Sequence, residues 1–294
     1  MQGPFRSFLF TPGNHPRRVA KVFNAGADVA ILDLEDAVAI AEKPATRAQI
    51  VTALQAPRPC LGYVRVNAYD TDFCFRDLVE VVCPALDGIV LPKVESADQV
   101  QSVDWLISHL EREQGMTPGS IDLMPIIETG RGVSNLRNIA RCGSRVRRVS
   151  FGAGDYTLDM SMAWGADERE LEHARATVAV ESRAAGLEPP IDTVFIHIGP
   201  EHRENLEASA GRVHAMGFQG KLCIHPEQIA PVNAVFTPSQ ESIDHAKKVI
   251  EAFDAAQAAG SASIQVDGYF VDYPIVEKAR RILTTMEGIE ARGK

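Results

Sequence analysis

The run Val29-Ala-Ile-Leu-Asp-Leu-Glu35, with Asp36 next to it, decides the fold. It is apolar almost throughout and then ends in carboxylates. Near-continuous Val, Ile and Leu, without strict alternation, marks a strand buried on both faces of a parallel sheet. Comparable runs recur at Ser7–Pro12, Gly62–Asn67, Gly88–Lys93, Leu123–Glu128, Val146–Gly152, Thr193–Ile198 and Lys221–His225. Stretches of helical period separate them. Pro16–Ala25 gathers Val19, Val22 and Phe23 on one face, and Gly26 stands at its C-cap. Ser96 is the N-cap expected of the next such helix. Glu170–Ala185 and Glu204–Ala215 follow the same plan, closed by Gly186 and Gly217.

Eight strand–helix alternations predict a parallel sheet with right-handed crossovers, and eight is the number that closes a (β/α)8 TIM barrel. The main alternative is an open doubly wound sheet, which usually carries a glycine-rich turn after its first strand. Here that turn is Thr11-Pro12-Gly13-Asn14, with a single glycine. The reading is an α/β chain with a barrel over residues 1–238 and a C-terminal extension over 239–294. In the extension, Ser239–Ala259 and Ile275–Gly288 have helical period, and Asp267-Gly268 is a hairpin signal within Ile264–Tyr273. Such an extension exceeds barrel closure. It is expected to pack on a barrel face or to reach a neighbouring subunit.

Composition narrows the function. The chain has 294 residues, 45% hydrophobic and 23% charged, with a net charge of −9. These are ordinary values for a soluble globular protein, and the absence of a dominant basic run argues against nucleic acid as a partner. No stretch approaches the ~18 apolar residues of a membrane span, and the first residues lack a signal-peptide pattern. Cys60, Cys74, Cys83, Cys142 and Cys223 form no Cys-x-x-Cys pair, and several lie in apolar runs. They read as reduced, buried thiols of a cytoplasmic protein.

Polar groups collect at the C-terminal ends of the strands: Glu35 and Asp36, Arg65 and Asn67, Lys93 and Glu95, Glu128, Asp155, His197, and His225. The opposite ends look poorer in such groups. In a barrel these ends ring one mouth, where active sites lie. A charge at the end of an apolar strand is costly unless paired, hydrated or metal-bound. Glu128 and Asp155 come from adjacent strands, where two carboxylates can share one hard cation such as Mg2+. They can equally bond backbone N–H groups or Arg131. Arg65 must find an anion, either a substrate carboxylate or Glu35, Asp36 or Glu95. Adjacent Glu35 and Asp36 point to opposite sides of a strand. Lys93 is either a Schiff-base amine or a salt-bridge partner of Glu95. His197 and His225 are bases, ligands or satisfied structural histidines. Gly152-Ala-Gly-Asp155 lacks both nucleotide-binding spacings and reads as a tight turn.

Eight strings, in order and spanning nearly the whole chain, resemble the citrate lyase beta-subunit-like family, which includes malyl-CoA and citramalyl-CoA lyases. They are Arg6–Gly13, Asp33–Val38, Val64–Asn67, Leu91–Glu95, Ile127–Gly130, Gly152–Asp155 with Asp159, Gly220–Ile229 and Asp267–Pro274. The resemblance implies a phosphoenolpyruvate/pyruvate-type TIM barrel with Mg2+ on Glu128 and Asp155. It implies a lyase that cleaves or condenses a 3-hydroxyacyl-CoA into acetyl-CoA and a 2-keto acid. Arg65 would bind the keto-acid carboxylate. Substrate would lie against Pro12, Gly13, Glu35, Asp36 and Glu128, with Ile224, His225 and Pro226 near the adenine end of CoA. Lys43 and Arg47 would meet CoA phosphates. Asp272 would act as catalytic acid/base in a neighbouring subunit's site, making the protein a homo-oligomer, commonly a trimer or hexamer. Related expectations are the beta subunit of a citrate lyase complex, working on a carrier-bound citryl thioester, and a malyl-CoA thioesterase or malate synthase-type activity. A non-catalytic scaffold is disfavoured by intact Glu128, Asp155, Arg65 and Asp272. Histidine in Ile224-His-Pro226, where the complex-bound beta subunit tends to carry asparagine, favours a stand-alone CoA enzyme. The segment Phe195–His202 departs from the more acidic or aromatic family pattern.

Overall fold

The computed structural model describes residues 3–292. It divides into two compact units, residues 5–234 and residues 235–292, with Gly3 and Pro4 belonging to the second.

The first unit is a closed barrel of eight strands in sequence order, all parallel. The strands are β1 (Ser7–Pro12), β2 (Val29–Asp33), β3 (Leu61–Arg65), β4 (Gly88–Leu91), β5 (Asp122–Ile127), β6 (Ser150–Phe151), β7 (Ile191–Asp192) and β8 (Gly220–Cys223). Their connections carry α1 (Pro16–Val22), α2 (Lys43–Leu54), α3 (Cys74–Val81), α4 (Ala97–Glu113), α5 (Gly130–Ala140), α6 (Ala153–Asp159), α7 (Glu172–Ala184), α8 (Arg203–Ala215) and α9 (Ile229–Phe236). The barrel interior is packed by Phe8, Ile31, Tyr63, Val90, Met124 and Leu222 among others, so it is a core and not a channel. Ser96 caps α4 as expected. Its hydroxyl accepts from the Gln99 N–H, and the Gln99 side chain accepts in return from the Ser96 N–H.

Several strands stop short of their expected ends: β2 at Asp33, β3 at Arg65, β4 at Leu91 and β5 at Ile127. Single ladder bonds continue beyond them, from the N–H of Leu34 to Arg65 O, of Val66 to Val90 O, of Val94 to Ile126 O and of Gly152 to Ile127 O. The backbone thus stays anchored while it bends outward, and the polar residues fall on these bends. Strand seven lies two residues earlier than Thr193–Ile198. His197 is therefore in irregular chain, held in place of a ladder by the Gln228 side chain, whose Nε2 donates to Phe195 O at 2.8 Å. Gly152-Ala-Gly-Asp155 is the start of α6 rather than an isolated turn, with Asp155 in its first turn.

The other rim also differs from expectation. Arg6 with Asp28, Arg58 with Asp87, and Arg148 with Asp122 and Glu188 stand at the N-terminal ends of the strands. Arg148 is fully buried, and Tyr63 donates to Asp122 at 2.7 Å. Charge alone therefore does not distinguish the two rims. The difference is that the lower pairs close on themselves.

In the second unit, α10 (Gln240–Ala258) is capped by Ser239, and the hairpin of β9 (Ile264–Val266) and β10 (Tyr269–Val271) turns at Asp267-Gly268. Both turn residues have positive φ, 51° and 84°, as a two-residue hairpin turn requires. The final helix α11 (Tyr273–Arg292) packs Val276 and Ala279 on Val249 and Phe253. No helix among the described residues is long and apolar enough to cross a membrane. All five cysteines are free thiols.

Candidate active site

The barrel mouth is assembled from the bends after β2, β4, β5 and β6 and the end of β3. Asp33 and Arg65 are register partners on neighbouring strands, which sets their side chains face to face. Arg65 Nε and Nη2 each lie 2.7 Å from one oxygen of Asp33, a bidentate fork. Its Nη1 is 2.8 Å from Glu35 Oε2, an ion pair without the alignment of a hydrogen bond. Its guanidinium carbon is 4.8 Å from the Phe10 ring centroid. Burial pushes the Asp33 carboxyl up, but the Arg65 guanidinium outweighs it and holds the group below its ordinary range. Sequence pointed to Glu35, Asp36 or Glu95 as protein partners of Arg65. The principal partner is Asp33, at the end of β2.

Glu128 is buried at the end of β5. Its Oε1 accepts from the Lys93 N–H at 2.7 Å. Burial, then the charges of Glu35 and Asp155, push its carboxyl up to about 8. Gly152 on the adjacent strand makes room for it, since a Cβ at that position would lie 2.5 Å from Glu128 Oε2 and 2.7 Å from Glu128 Cβ. Glu35, also buried, is raised by desolvation against the opposing pull of Arg65 and Lys93. Lys93 Nζ lies 2.5 Å from Glu35, 3.4 Å from Asp36 and 3.9 Å from Asp155. Burial alone would lower the Lys93 amine, but the Glu35 carboxylate reverses this and raises it. That is the wrong direction for a Schiff-base nucleophile. Glu95, the other partner expected of Lys93, instead accepts from Thr129 at 2.9 Å and faces Arg131 at 3.3 Å.

Two residues expected to meet CoA phosphates turn inward. Lys43 is buried, and its ammonium donates to Leu34 O at 2.8 Å, Glu35 O at 2.7 Å and Asn67 Oδ1 at 2.6 Å, which uses all three protons. Arg47 is buried against Asp77 at 2.8 Å and Glu80 at 3.1 Å. Lys43 braces the β2 bend from behind and Arg47 ties α2 to α3, so both side chains face inward and away from a phosphate.

Pro12 ends β1 and Gly13 follows it. Gly13 donates to Asp33 O at 2.9 Å, and a Cβ there would meet Ile50 at 2.5 Å. Ile224, His225 and Pro226 follow β8. His225 Nδ1 accepts from the Glu227 N–H at 3.3 Å, and Gln228 Oε1 accepts from the Ile224 N–H at 2.9 Å. The turn borders a cavity of about 230 Å³ that His197, His202, Arg203 and Leu206 also line. Asp272 belongs to the second unit, where its side chain accepts from the Ile275 N–H at 3.4 Å at the head of α11.

Among the described residues no three metal-binding side chains cluster. The chemistry of the mouth nevertheless suits a hard cation. Asp33, Glu35, Asp36, Glu128 and Asp155 are five carboxylates against Arg65 and Lys93 at the mouth and Lys43 behind the β2 bend, which leaves two negative charges in excess when all are ionised. Glu128 and Asp155, one per strand end, would give a divalent cation two oxygen ligands and leave its other positions to water and substrate.

The family model described as HpcH/HpaI aldolase/citrate lyase matches residues 6–226. The chain is 37% identical over 284 residues to citrate lyase subunit beta of Leuconostoc mesenteroides subsp. cremoris, covering 95% of this chain and 92% of that protein. It is 35% identical over 312 residues to L-malyl-CoA/beta-methylmalyl-CoA lyase of Cereibacter sphaeroides, covering 98% and 96%. Among solved structures it resembles CitE of Mycobacterium tuberculosis in complex with magnesium, acetoacetate and coenzyme A, with TM-score 0.77, 30% identity and coverage of 96% and 98%. On these grounds the chain belongs to the HpcH/HpaI aldolase/citrate lyase family.

Proposed function

We propose that the chain is a magnesium-dependent carbon–carbon lyase that cleaves or condenses a 3-hydroxyacyl-CoA, such as malyl-CoA or citramalyl-CoA, into acetyl-CoA and a 2-keto acid. The observation that carries the proposal is the convergence of Glu128 and Asp155 beside Arg65 at the mouth, where carboxylates outnumber cations. The likeness to a malyl-CoA lyase, and to a CitE structure holding magnesium, acetoacetate and coenzyme A, supports the same chemistry.

Glu128 and Asp155 would hold the metal. The chemistry it supplies when bound is charge neutralisation and polarisation of substrate oxygen. Arg65, locked by Asp33, keeps one N–H on Nη1 and one on Nη2 for a keto-acid carboxylate, and its rigidity orients the breaking bond. In cleavage the substrate hydroxyl gives up its proton to water at the mouth, that oxygen's electrons form the keto C=O as the carbon–carbon bond breaks, and the bonding pair stays on the thioester fragment as an enolate. Asp272 of a second copy protonates that carbon. Hence the protein would be a homo-oligomer, such as a trimer or hexamer. Glu35, Asp36, Pro12 and Gly13 border the acyl group, and Ile224, His225 and Pro226 border the CoA end.

The test is a panel of malyl-CoA, citramalyl-CoA and citryl-CoA with Mg2+, following keto acid and free thiol separately. Keto acid from one substrate, lost with EDTA and in Glu128→Ala, supports the lyase. Thiol without keto acid turns the reading to a thioesterase. The 37% identity to a citrate lyase beta subunit favours, as a second reading, action on a carrier-bound citryl thioester within a complex. Co-purification of an acyl carrier protein, with no keto acid from free CoA esters, would decide for it.

A further inference from the structure

Lys93 has a φ of 52°, and among the described residues only Ser161, Glu168 and Asp267 share positive φ without being glycine. A long side chain in this region is strained, and the strain persists only where surroundings enforce it. The conformation lets one residue act through two groups. Its N–H points at Glu128 Oε1, 2.7 Å away, on the β5 bend. Its ammonium meanwhile reaches Glu35 at 2.5 Å and Asp36 at 3.4 Å on the β2 bend, and Asp155 at 3.9 Å in α6. One residue of the β4 bend therefore ties together carboxylates from three other bends.

We propose that Lys93 is a built-in counter-ion of the mouth: its ammonium holds the carboxylates together without a divalent cation and competes with that cation for them, while its amide keeps Glu128 aimed. The proposal rests on the metal reading given above. Lys93 is on this view a positioning residue that sets metal affinity. Other charges near the ammonium are Arg65, which shares Glu35, and Lys43, which is fixed behind the β2 bend.

The two roles predict opposite effects. A residue that merely shapes the site weakens metal binding when its side chain is removed. A competing counter-ion strengthens it. The experiment is calorimetric titration of the whole chain with Mn2+ and Mg2+ at one fixed pH, alongside thermal melts without metal. Lys93→Met removes the ammonium, and Lys93→Gly removes it and also relieves the φ strain while keeping the amide. Both are expected to bind Mn2+ roughly tenfold more tightly than wild type, the effect of removing a unit charge about 4–6 Å from a divalent ion. Lys93→Met is also expected to melt lower than wild type when metal-free. Lys93→Arg keeps the charge and is expected to stay within about threefold of wild type. Unchanged or weaker binding in the Met and Gly variants, with wild type binding normally, overturns the counter-ion alone. Wild-type protein that takes up no metal, indistinguishable from Glu128→Gln, overturns the metal reading and the counter-ion with it.

Discussion

Gly152 lies directly against Glu128, so that a Cβ at 152 would stand 2.5 Å from the Glu128 carboxylate oxygen. The close approach of β6 to β5 at this point sets where the carboxylate sits. Gly152→Ala is therefore expected to displace Glu128 and cut metal affinity about 10–100-fold, while overpacking costs about 1–3 kcal/mol. Calorimetric metal titration beside a thermal melt checks both. Unchanged metal affinity would show that Glu128 has room to yield.

Glu128 gives a pH signature with a definite sign. Its carboxyl is raised from 4.5 to about 8 in the folded chain, so between those values the native state binds more protons than the unfolded state. Its contribution to stability is therefore most favourable below pH 4.5 and is lost as pH rises through about 8. Metal-free Glu128→Gln is expected to remove this part of the pH dependence of Tm between pH 5 and 8, about a few kcal/mol in all. Since metal competes with the same proton, affinity for Mg2+ should climb over that interval in the wild type.

Asp33 behaves in the opposite sense. Its carboxyl is held below 3.8 by Arg65, so its stabilisation is present above that value and fades as pH falls through the lowered one. Asp33→Asn is expected to free the Arg65 fork and to cost about 3–5 kcal/mol, because it leaves a buried guanidinium short of its partner. In a variant that still folds, the affinity for pyruvate or glyoxylate should fall with Mn2+ binding little changed. Loss of both together would mean that Asp33 acts on the metal ligands as well.

Lys43 separates bracing from binding. Its three hydrogen bonds fix the β2 bend. Lys43→Met should lower stability by about 2–4 kcal/mol through unsatisfied carbonyl and amide oxygens. At a temperature where the variant stays folded, the KM for a CoA thioester should not depend on ionic strength more than in wild type. A selective rise in that KM, with Tm unchanged, would restore Lys43 as a phosphate contact.

Asp272 is tested by mixing subunits. Asp272→Asn alone should abolish turnover and leave metal affinity intact. Glu128→Gln alone should abolish both. If one copy supplies Asp272 to another copy's mouth, the two inactive variants unfolded and refolded together should regain activity, ideally about a quarter of wild type for random pairing of donor and acceptor. No recovery from a mixture shown to co-assemble would place the acid elsewhere.

The sequence by itself determined the architecture and much of the site's membership. Strands buried on both faces of a parallel sheet are largely apolar, so seven of the eight runs and their helical spacers were legible, the seventh strand ending just before its expected start, as were the Ser96 cap, the Asp267-Gly268 turn and the carboxylates beyond Leu34, Ile127 and Gly154. Such features depend on neighbours a few residues away. What only the tertiary structure decided is which charges meet. Asp33 pairs with Arg65 because β2 and β3 lie in a register that neither strand encodes alone. Lys43 and Arg47 turn inward because α2 packs its charged face between the β2 bend and α3, where the carbonyls of Leu34 and Glu35 and the carboxylate of Asp77 await donors. Lys93 reaches both Glu35 and Asp155 only because barrel closure brings bends far apart in sequence within a few ångströms. Periodicity is a property of one segment, whereas ion pairing falls off over a few ångströms and is settled only by packing.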